Sequence, residues 1–213
     1  MLNRLKVGLN LKKLIIKTAA ITFAIIIAVA SLVYGALVLF APRSLAAFYE
    51  GVGNYGISVD FYEMQYNKTA DKNDLYTLCI KVDEYLDAER AKKYLELFVD
   101  GDSASFNAFC TEKDSTNTAP TAITTKEYAF GKLVCAIYSS EGIVSAVERA
   151  EELVEAGYTE FNPYYVLITD KVLSLTVTEL SMVEASIEAV KVHLSGNALA
   201  FAERDLALIE SAA

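Results

Sequence analysis

Hydrophobic positions are concentrated in one segment near the N-terminus. Residues 18–41 contain no charged side chain, and most of them are aliphatic or aromatic. Because a helix rises about 1.5 Å per residue, this segment would be roughly 36 Å long. The hydrocarbon core of a bilayer is about 30 Å thick. The sequence therefore predicts that residues 18–41 form one transmembrane helix.

From residue 71 onward, apolar residues recur at intervals of three and four, which is the period of one face of an α-helix. The first of these faces is predicted to contain Leu75, Leu78, Cys79, Val82 and Leu86. Short polar connections separate the successive helical patterns, as in antiparallel hairpins. We predict an all-α fold, with an N-terminal transmembrane helix followed by a bundle or short solenoid of antiparallel helical hairpins.

The same patterns divide the chain into four segments. A basic tail over 1–17 precedes the transmembrane helix over 18–41. A juxtamembrane neck and a short helix are predicted over 42–70, and the helical-hairpin domain over 71–213. In the last segment a helix is predicted to start at Asn162 and Pro163, because Asn suits a helix cap and Pro the first turn. A later helix start is predicted at Ser181 and Glu184, which have the spacing of a capping box.

The predicted neck contains three glycines. Gly51, Gly53 and Gly56 have the G-x-G-x-x-G spacing of a dinucleotide-binding loop. Such a loop binds the pyrophosphate only between a strand and a helix of a βαβ unit. No strand pattern precedes these glycines, so we expect a flexible neck over 43–56 instead of a nucleotide site.

Basic residues are concentrated before the transmembrane segment, and only Arg43 follows it closely. Positive charge next to a membrane span favours the cytoplasmic face, so we expect a cytoplasmic N-terminus and an extracytoplasmic location for residues 42–213. A cleaved signal peptide is the alternative, although its apolar region is usually only about 7–15 residues long. The basic residues before the span are Arg4, Lys6, Lys12, Lys13 and Lys17.

Small residues recur along one face of the predicted transmembrane helix. A small-residue face lets two membrane helices approach closely and associate. The alternative is that this face simply contacts lipid. The residues of this candidate packing face are Ala20, Ala24, Ala28, Ser31 and Gly35.

Charge and cysteine content restrict the function. Residues 42–213 contain 28 acidic residues and 14 basic ones, and so much negative charge repels nucleic acid phosphates. We therefore predict no nucleic acid partner.

Cys79, Cys110 and Cys135 are widely spaced and lie among apolar residues, as expected for small buried side chains. One disulfide among them is the alternative, because an extracytoplasmic location would permit it.

Residues 129–157 resemble a tetratricopeptide unit, which is a helical hairpin of about 34 residues. The similarity depends on Gly131 in the first helix, Tyr138 near its end, Gly142 in the turn, and Ala146 and Ala150 in the second helix. Two features depart from the family: Val134 and Cys135 replace the usual Leu-Gly pair, and the alanines have different offsets. The resemblance implies a surface that binds a peptide or protein segment.

No motif identifies a reaction. His193 is the only histidine, and one histidine cannot supply the ligands of a typical catalytic zinc site. Carboxylates four residues apart are predicted to face solvent. These pairs are Asp83/Asp87, Glu148/Glu152 and Glu151/Glu155. The segment 114–125 is rich in small, polar and β-branched residues and is predicted to be a long loop.

These observations predict a membrane-anchored, extracytoplasmic helical protein that binds or scaffolds other proteins. Its expected partners are the lipid bilayer and another envelope or membrane protein, with self-association through the anchor as a further possibility. We predict no catalytic, metal or cofactor site. The alternative is an envelope enzyme with a site built from dispersed carboxylates or from the 114–125 loop.

Overall fold

The computed structural model describes residues 2–100, 103–116 and 124–212, with side chains from Lys13 onward except that of Ser103. Within these ranges the chain forms α-helices and no strand, which confirms the predicted all-α class. The eleven helices are α1 Leu2–Phe40, α2 Pro42–Gly51, α3 Tyr55–Thr69, α4 Lys72–Glu84, α5 Ala88–Val99, α6 Ser103–Ser115, α7 Thr125–Glu141, α8 Ile143–Glu155, α9 Tyr165–Lys171, α10 Val177–Val190 and α11 Asn197–Ala212.

The chain divides into two compact units, Met1–Lys68 and Thr69–Ala213. In the first unit, α1 contains one stretch, Lys13–Phe40, that is long and apolar enough to cross a membrane. None of that stretch is buried within the protein. The helix also includes the predicted basic tail, because residues 2–17 contain no proline and continue the helix without interruption.

The segment after α1 differs from the predicted flexible neck. Residues 42–51 form α2, with Pro42 in its first turn, where its fixed φ suits a helix. Leu45 and Ala46 of α2 are buried. The chain turns at Gly53, whose φ of 77° suits glycine. The short helix predicted after the neck is present as α3.

In the second unit, α4 and α5 form the first hairpin. The ring of Tyr76, near the start of α4, lies 5.5 Å from that of Phe98 at the end of α5, so the two helices are antiparallel. The α5 helix packs on α7, α7 on α8, and α8 on α10. Along these contacts a layer of aromatic rings fills the core. Its members include Phe98, Phe106, Phe130, Tyr158 and Phe161.

Two helix starts differ from those predicted. The α9 helix begins at Tyr165 because the Asn162 side chain accepts a hydrogen bond from the Tyr164 backbone (3.1 Å), which forms a turn ahead of the helix. For α10, Thr176 and Glu179 form the capping box. The box expected at Ser181 and Glu184 was wrong, since Ser181 lies inside α10 and donates to the Val177 carbonyl.

Candidate binding surface

A lysine joins three helices on the surface of the second unit. Lys132 of α7 lies 3.4 Å from the Asp83 carboxylate of α4 and 3.2 Å from the Asp170 carboxylate of α9. Tyr128, one turn earlier on α7, donates a hydrogen bond of 3.2 Å to Asp83. These contacts bring the ends of α4 and α9 together at the middle of α7.

The electrostatic environment keeps this cluster charged. Partial burial by itself would lower the pKa of Lys132, but the two carboxylates outweigh that effect and raise it. Lys132 therefore carries a positive charge at physiological pH. Because two carboxylates share one ammonium group, the cluster has a net negative charge.

Two highly exposed leucines follow the aspartates of this cluster along the chain. Leu86 lies three residues after Asp83, and Leu173 lies three residues after Asp170. Leu173 is 92% exposed and Leu86 is 89% exposed, the two highest values among the large apolar side chains that the structure describes. We call Asp83, Leu86, Lys132, Asp170 and Leu173 together the Lys132 surface.

The backbone at Leu86 is also unusual. Its φ is 59°, in the left-handed region that residues other than Gly, Asn and Asp seldom adopt. An L-residue in this conformation costs roughly 1–2 kcal/mol. The sequence pattern placed Leu86 on the buried face of α4, and that prediction was wrong because the helix ends at Glu84. The Lys132 surface was therefore not recognised from periodicity alone.

The chemistry of this surface suits association. It combines two exposed apolar side chains with ionic groups that are already paired with one another. Burying a leucine side chain contributes roughly 1.5–3 kcal/mol. A complementary partner would present an apolar patch, together with positive charge to match the excess carboxylate.

The candidate packing face of α1 remains open in the first unit. Its alanines and Ser31 are exposed, and Gly35 is partly exposed. At about 100° per residue, this face lies on roughly the opposite side of α1 from the residues that approach α2. Those residues include Val29, Val33 and Leu37. The structure thus leaves both alternatives, helix association and lipid contact, as predictions.

The carboxylate pairs of the enzyme alternative do not converge. Asp83 pairs with Lys132, whereas Asp87 caps α5 by accepting from the Arg90 backbone. Glu152 pairs with Arg149, and Glu151 accepts a hydrogen bond from Ser186. No cluster of three or more metal-ligating side chains occurs within the part of the chain that the structure describes.

Most of the predicted 114–125 loop, residues 117–123, lies outside the described residues. Its two ends are held together, since the Asp114 carboxylate accepts from both the backbone and the hydroxyl of Thr125, at 2.8 and 2.7 Å. Beside the second end is a polar cleft of about 280 Å³ with Lys126 on its wall. Lys126 lies 3.7 Å from Glu160 there and forms an ion pair with it.

The cysteines and the histidine have structural positions. Cys79, Cys110 and Cys135 are all buried and unbonded, which confirms the expectation of small buried side chains. Burial raises the pKa of all three thiols, to about 11 for Cys110 and about 12 for Cys135. His193 is exposed at the end of a 3₁₀ turn, Lys191–His193, that follows α10.

The glycines that suggested a nucleotide loop lie on helices or between them. Gly51 ends α2 and Gly56 lies in the first turn of α3. Because no strand precedes them among the described residues, the geometry of a dinucleotide site is absent at this position.

Comparison with known proteins adds no further identification. No protein-family model, no curated protein and no solved structure matches the chain.

Proposed function

We propose that this chain is a membrane-anchored extracytoplasmic protein that binds another membrane or envelope protein through the Lys132 surface. The observation that carries the proposal is the pair of highly exposed leucines, Leu86 and Leu173, beside one shared ionic cluster. Isolated apolar side chains are common on protein surfaces, but exposed apolar groups rimmed by polar residues are typical of interaction sites.

The properties of α1 support an extracytoplasmic location for the helical domain. The span Lys13–Phe40 has the length and composition of a transmembrane helix, and the five basic residues that precede its uncharged segment, residues 18–41, favour a cytoplasmic N-terminus. The helical domain then faces the opposite compartment, where its partner is another envelope or membrane protein. The net negative charge of the domain is the reason to exclude nucleic acid as that partner.

The tetratricopeptide-like segment fits this proposal. The α7 and α8 helices form a hairpin in which Ala146 and Ala150 are fully buried and Tyr138 is partly exposed. Lys132 lies on the first helix of this hairpin, so the Lys132 surface is displayed by the element that carries the resemblance. The function proposed is binding or scaffolding, with no catalytic role and no cofactor.

Photocrosslinking in cells tests this proposal. A benzoylphenylalanine replaces Leu173 in one full-length variant and Leu86 in another, and cells producing each are irradiated. The matched control carries the same group at Val192, which is 74% exposed and lies just beyond the opposite end of α10 from Leu173. We expect one discrete adduct from both leucine positions and none from Val192. Equal adducts from all three, or none from either leucine, would contradict the proposal.

Sensitivity to charge and salt gives a second readout. If the excess carboxylate contributes to binding, Asp170→Asn should reduce the yield of the adduct from position 86. Added salt should reduce the yield of the same adduct in the variant that keeps Asp170. An adduct that responds to neither change would mean that the partner recognises only the apolar side chains.

A further inference from the structure

The first unit contains an apolar groove between α1 and α2. The groove has a volume of about 640 Å³ and is lined almost entirely by carbon atoms of the two helices. On α1 it extends from Ile25 to Leu37, and on α2 its wall is formed by Leu45, Phe48 and Tyr49. Phe48 is 59% exposed although it lines this groove.

The α2 helix is held in position beside α1. The hydroxyl groups of Tyr34 on α1 and Tyr49 on α2 lie 3.4 Å apart. Ser58 of α3 donates to the Ala46 carbonyl of α2 at 2.9 Å. The Tyr49 ring also stacks on Phe61 of α3 at 5.6 Å. The groove is therefore formed by α1 and an α2 that α3 holds in place, and it is not a chance gap beside a free segment.

The depth of the groove is set by helix geometry. Tyr34 lies six residues before Phe40, which places it about 9 Å along α1 from the helix end. Because Tyr49 contacts Tyr34, the last turn of α2 reaches a similar level.

The length of the groove matches one leaflet. Ile25 to Leu37 spans about 18 Å of helix, and half of the hydrocarbon core is about 15 Å. Most of this part of α1 lies in the C-terminal half of the apolar stretch Lys13–Phe40. Most of the groove thus lies at the depth of the acyl chains in the leaflet that contains the end of α1.

We infer that this groove binds one acyl chain of a membrane lipid in that leaflet. The inference depends on the proposed membrane anchoring of α1, and it adds a lipid site that the binding of a protein partner does not require. The occupant is lipid because the groove opens directly beside a helix that the bilayer itself surrounds. Tyr34 and Tyr49 line the part of the groove nearer the end of α1, and tyrosine is a residue enriched towards the membrane–water interface.

Tryptophan fluorescence tests this site, because the chain contains no tryptophan. The full-length variant Phe48→Trp is reconstituted into phosphatidylcholine vesicles whose lipids are brominated at chosen depths of the acyl chain. Ile27→Trp, on α1 and outside the groove lining, reports insertion of the span. Val192→Trp, in the second unit, reports the signal of a side chain in water.

We expect acyl-chain bromines to quench Trp at position 48 at least half as strongly as Trp at position 27, and to leave position 192 unquenched. Quenching at 27 without quenching at 48 overturns the lipid site and leaves the anchor intact. In that case, crosslinking between copies at position 48 would identify a second chain as the occupant. Absence of quenching at both positions overturns the anchor as well. Tyr49→Trp provides a second reporter of the same groove if Phe48→Trp does not fold.

A variant whose groove is blocked by a larger side chain distinguishes an acyl chain bound in the groove from general contact with lipid. Ala30 lies on the groove wall, and Ala30→Phe would place a phenyl ring where the acyl chain is inferred to bind. Combined with Phe48→Trp, this change should reduce quenching at position 48 without affecting a Trp at position 27. Unchanged quenching at both positions would contradict a defined acyl-chain site.

Discussion

Gly131 lies directly against Val166: a Cβ atom at Gly131 would be 2.9 Å from Cβ of Val166 and closer still to its Cγ2. Non-bonded carbon atoms do not approach one another so closely, so an added Cβ would have to displace Val166. The contact places α9 against α7, and it explains in physical terms why a small residue occupies this position of the tetratricopeptide-like hairpin.

Gly131→Ala should lower the free energy of unfolding by about 1–3 kcal/mol, because the added methyl group forces Val166 and α9 away from α7. Urea denaturation followed by circular dichroism measures this. The control is Gly56→Ala, a helical glycine whose Cβ would meet nothing within 4 Å, and it should be neutral or stabilising. If Gly131→Ala is as stable as that control, the close contact with Val166 is wrong. In a Val166→Ala background the loss should shrink.

The turn between α7 and α8 depends on glycine for a different reason. Gly142 has φ 92° and ψ −177°, a region that is essentially restricted to glycine. Gly142→Asn should therefore cost about 1–3 kcal/mol. Gly196 has a φ of 56°, close to the left-handed conformation that asparagine tolerates, so Gly196→Asn is the matched control and should cost much less. Similar losses at both sites would contradict this assignment.

The buried carboxylate of Asp205 should make stability depend on pH. Asp205 is fully buried, accepts from Asn162 at 2.7 Å and pairs with Arg204. Burial raises its pKa from 3.8 to about 6, although Arg204 and Asn162 oppose that shift. Between these two values the folded state holds a proton that the unfolded state has released. Stability from this group is therefore fully present below 3.8 and is lost as the pH rises through about 6.

The test compares the natural chain with Asp205→Asn, by urea denaturation between about pH 4 and pH 7. Relative to the variant, the natural chain should lose up to about 1.4 kcal/mol per pH unit in this range. If the unfolding free energies of the two proteins change with pH in parallel throughout this range, Asp205 is ionised in the folded state at all these pH values.

The Lys132 cluster should contribute to stability as a unit. Lys132→Met leaves the Asp83 and Asp170 carboxylates without their shared cation, and we expect a loss of about 1 kcal/mol from these partly exposed pairs. Lys191→Met is the control, because Lys191, just after α10, forms a local pair with Glu188, three residues earlier in the chain. Adding Asp83→Asn to Lys132→Met should recover part of the loss. If the losses of unfolding free energy from the two single substitutions simply add in the double variant, the two side chains are not coupled.

The three cysteines should react slowly in the folded protein. All are buried and burial raises the pKa of each, so little thiolate exists near neutral pH and reagents have little access. Mass spectrometry after maleimide treatment should show an unmodified folded chain and three adducts after denaturation without reductant. Fewer adducts in the denatured chain would indicate a disulfide.

Periodicity predicted the helical class because amphipathic faces are local properties of the sequence. The stripe through Leu75, Leu78 and Val82 is buried as expected. Its extension to Leu86 was wrong because the end of a helix depends on the conformation of the next residues. Here a left-handed residue precedes the Asp87 cap of α5. A spacing rule does not contain that information.

The candidate surface was harder to predict than the fold. Lys132 meets Asp83 and Asp170 across 49 and 38 residues of sequence, and only packing of α4 and α9 on α7 brings them together. The helix α2 was missed for a related reason. Its glycine-containing sequence indicates a loop, whereas burial of Leu45 and Ala46 stabilises a helix there.

Protease treatment of intact cells producing the full chain, followed by mass spectrometry of the membrane fraction, tests the membrane anchoring and orientation most directly. We predict that peptides from the acidic helical domain are released, while a fragment containing the apolar stretch Lys13–Phe40 remains in the membrane. If the domain is cleaved only after the cells are opened, it lies in the cytoplasm and the proposed orientation is wrong. If the intact chain leaves the membrane with salt washing alone, the helix does not anchor it.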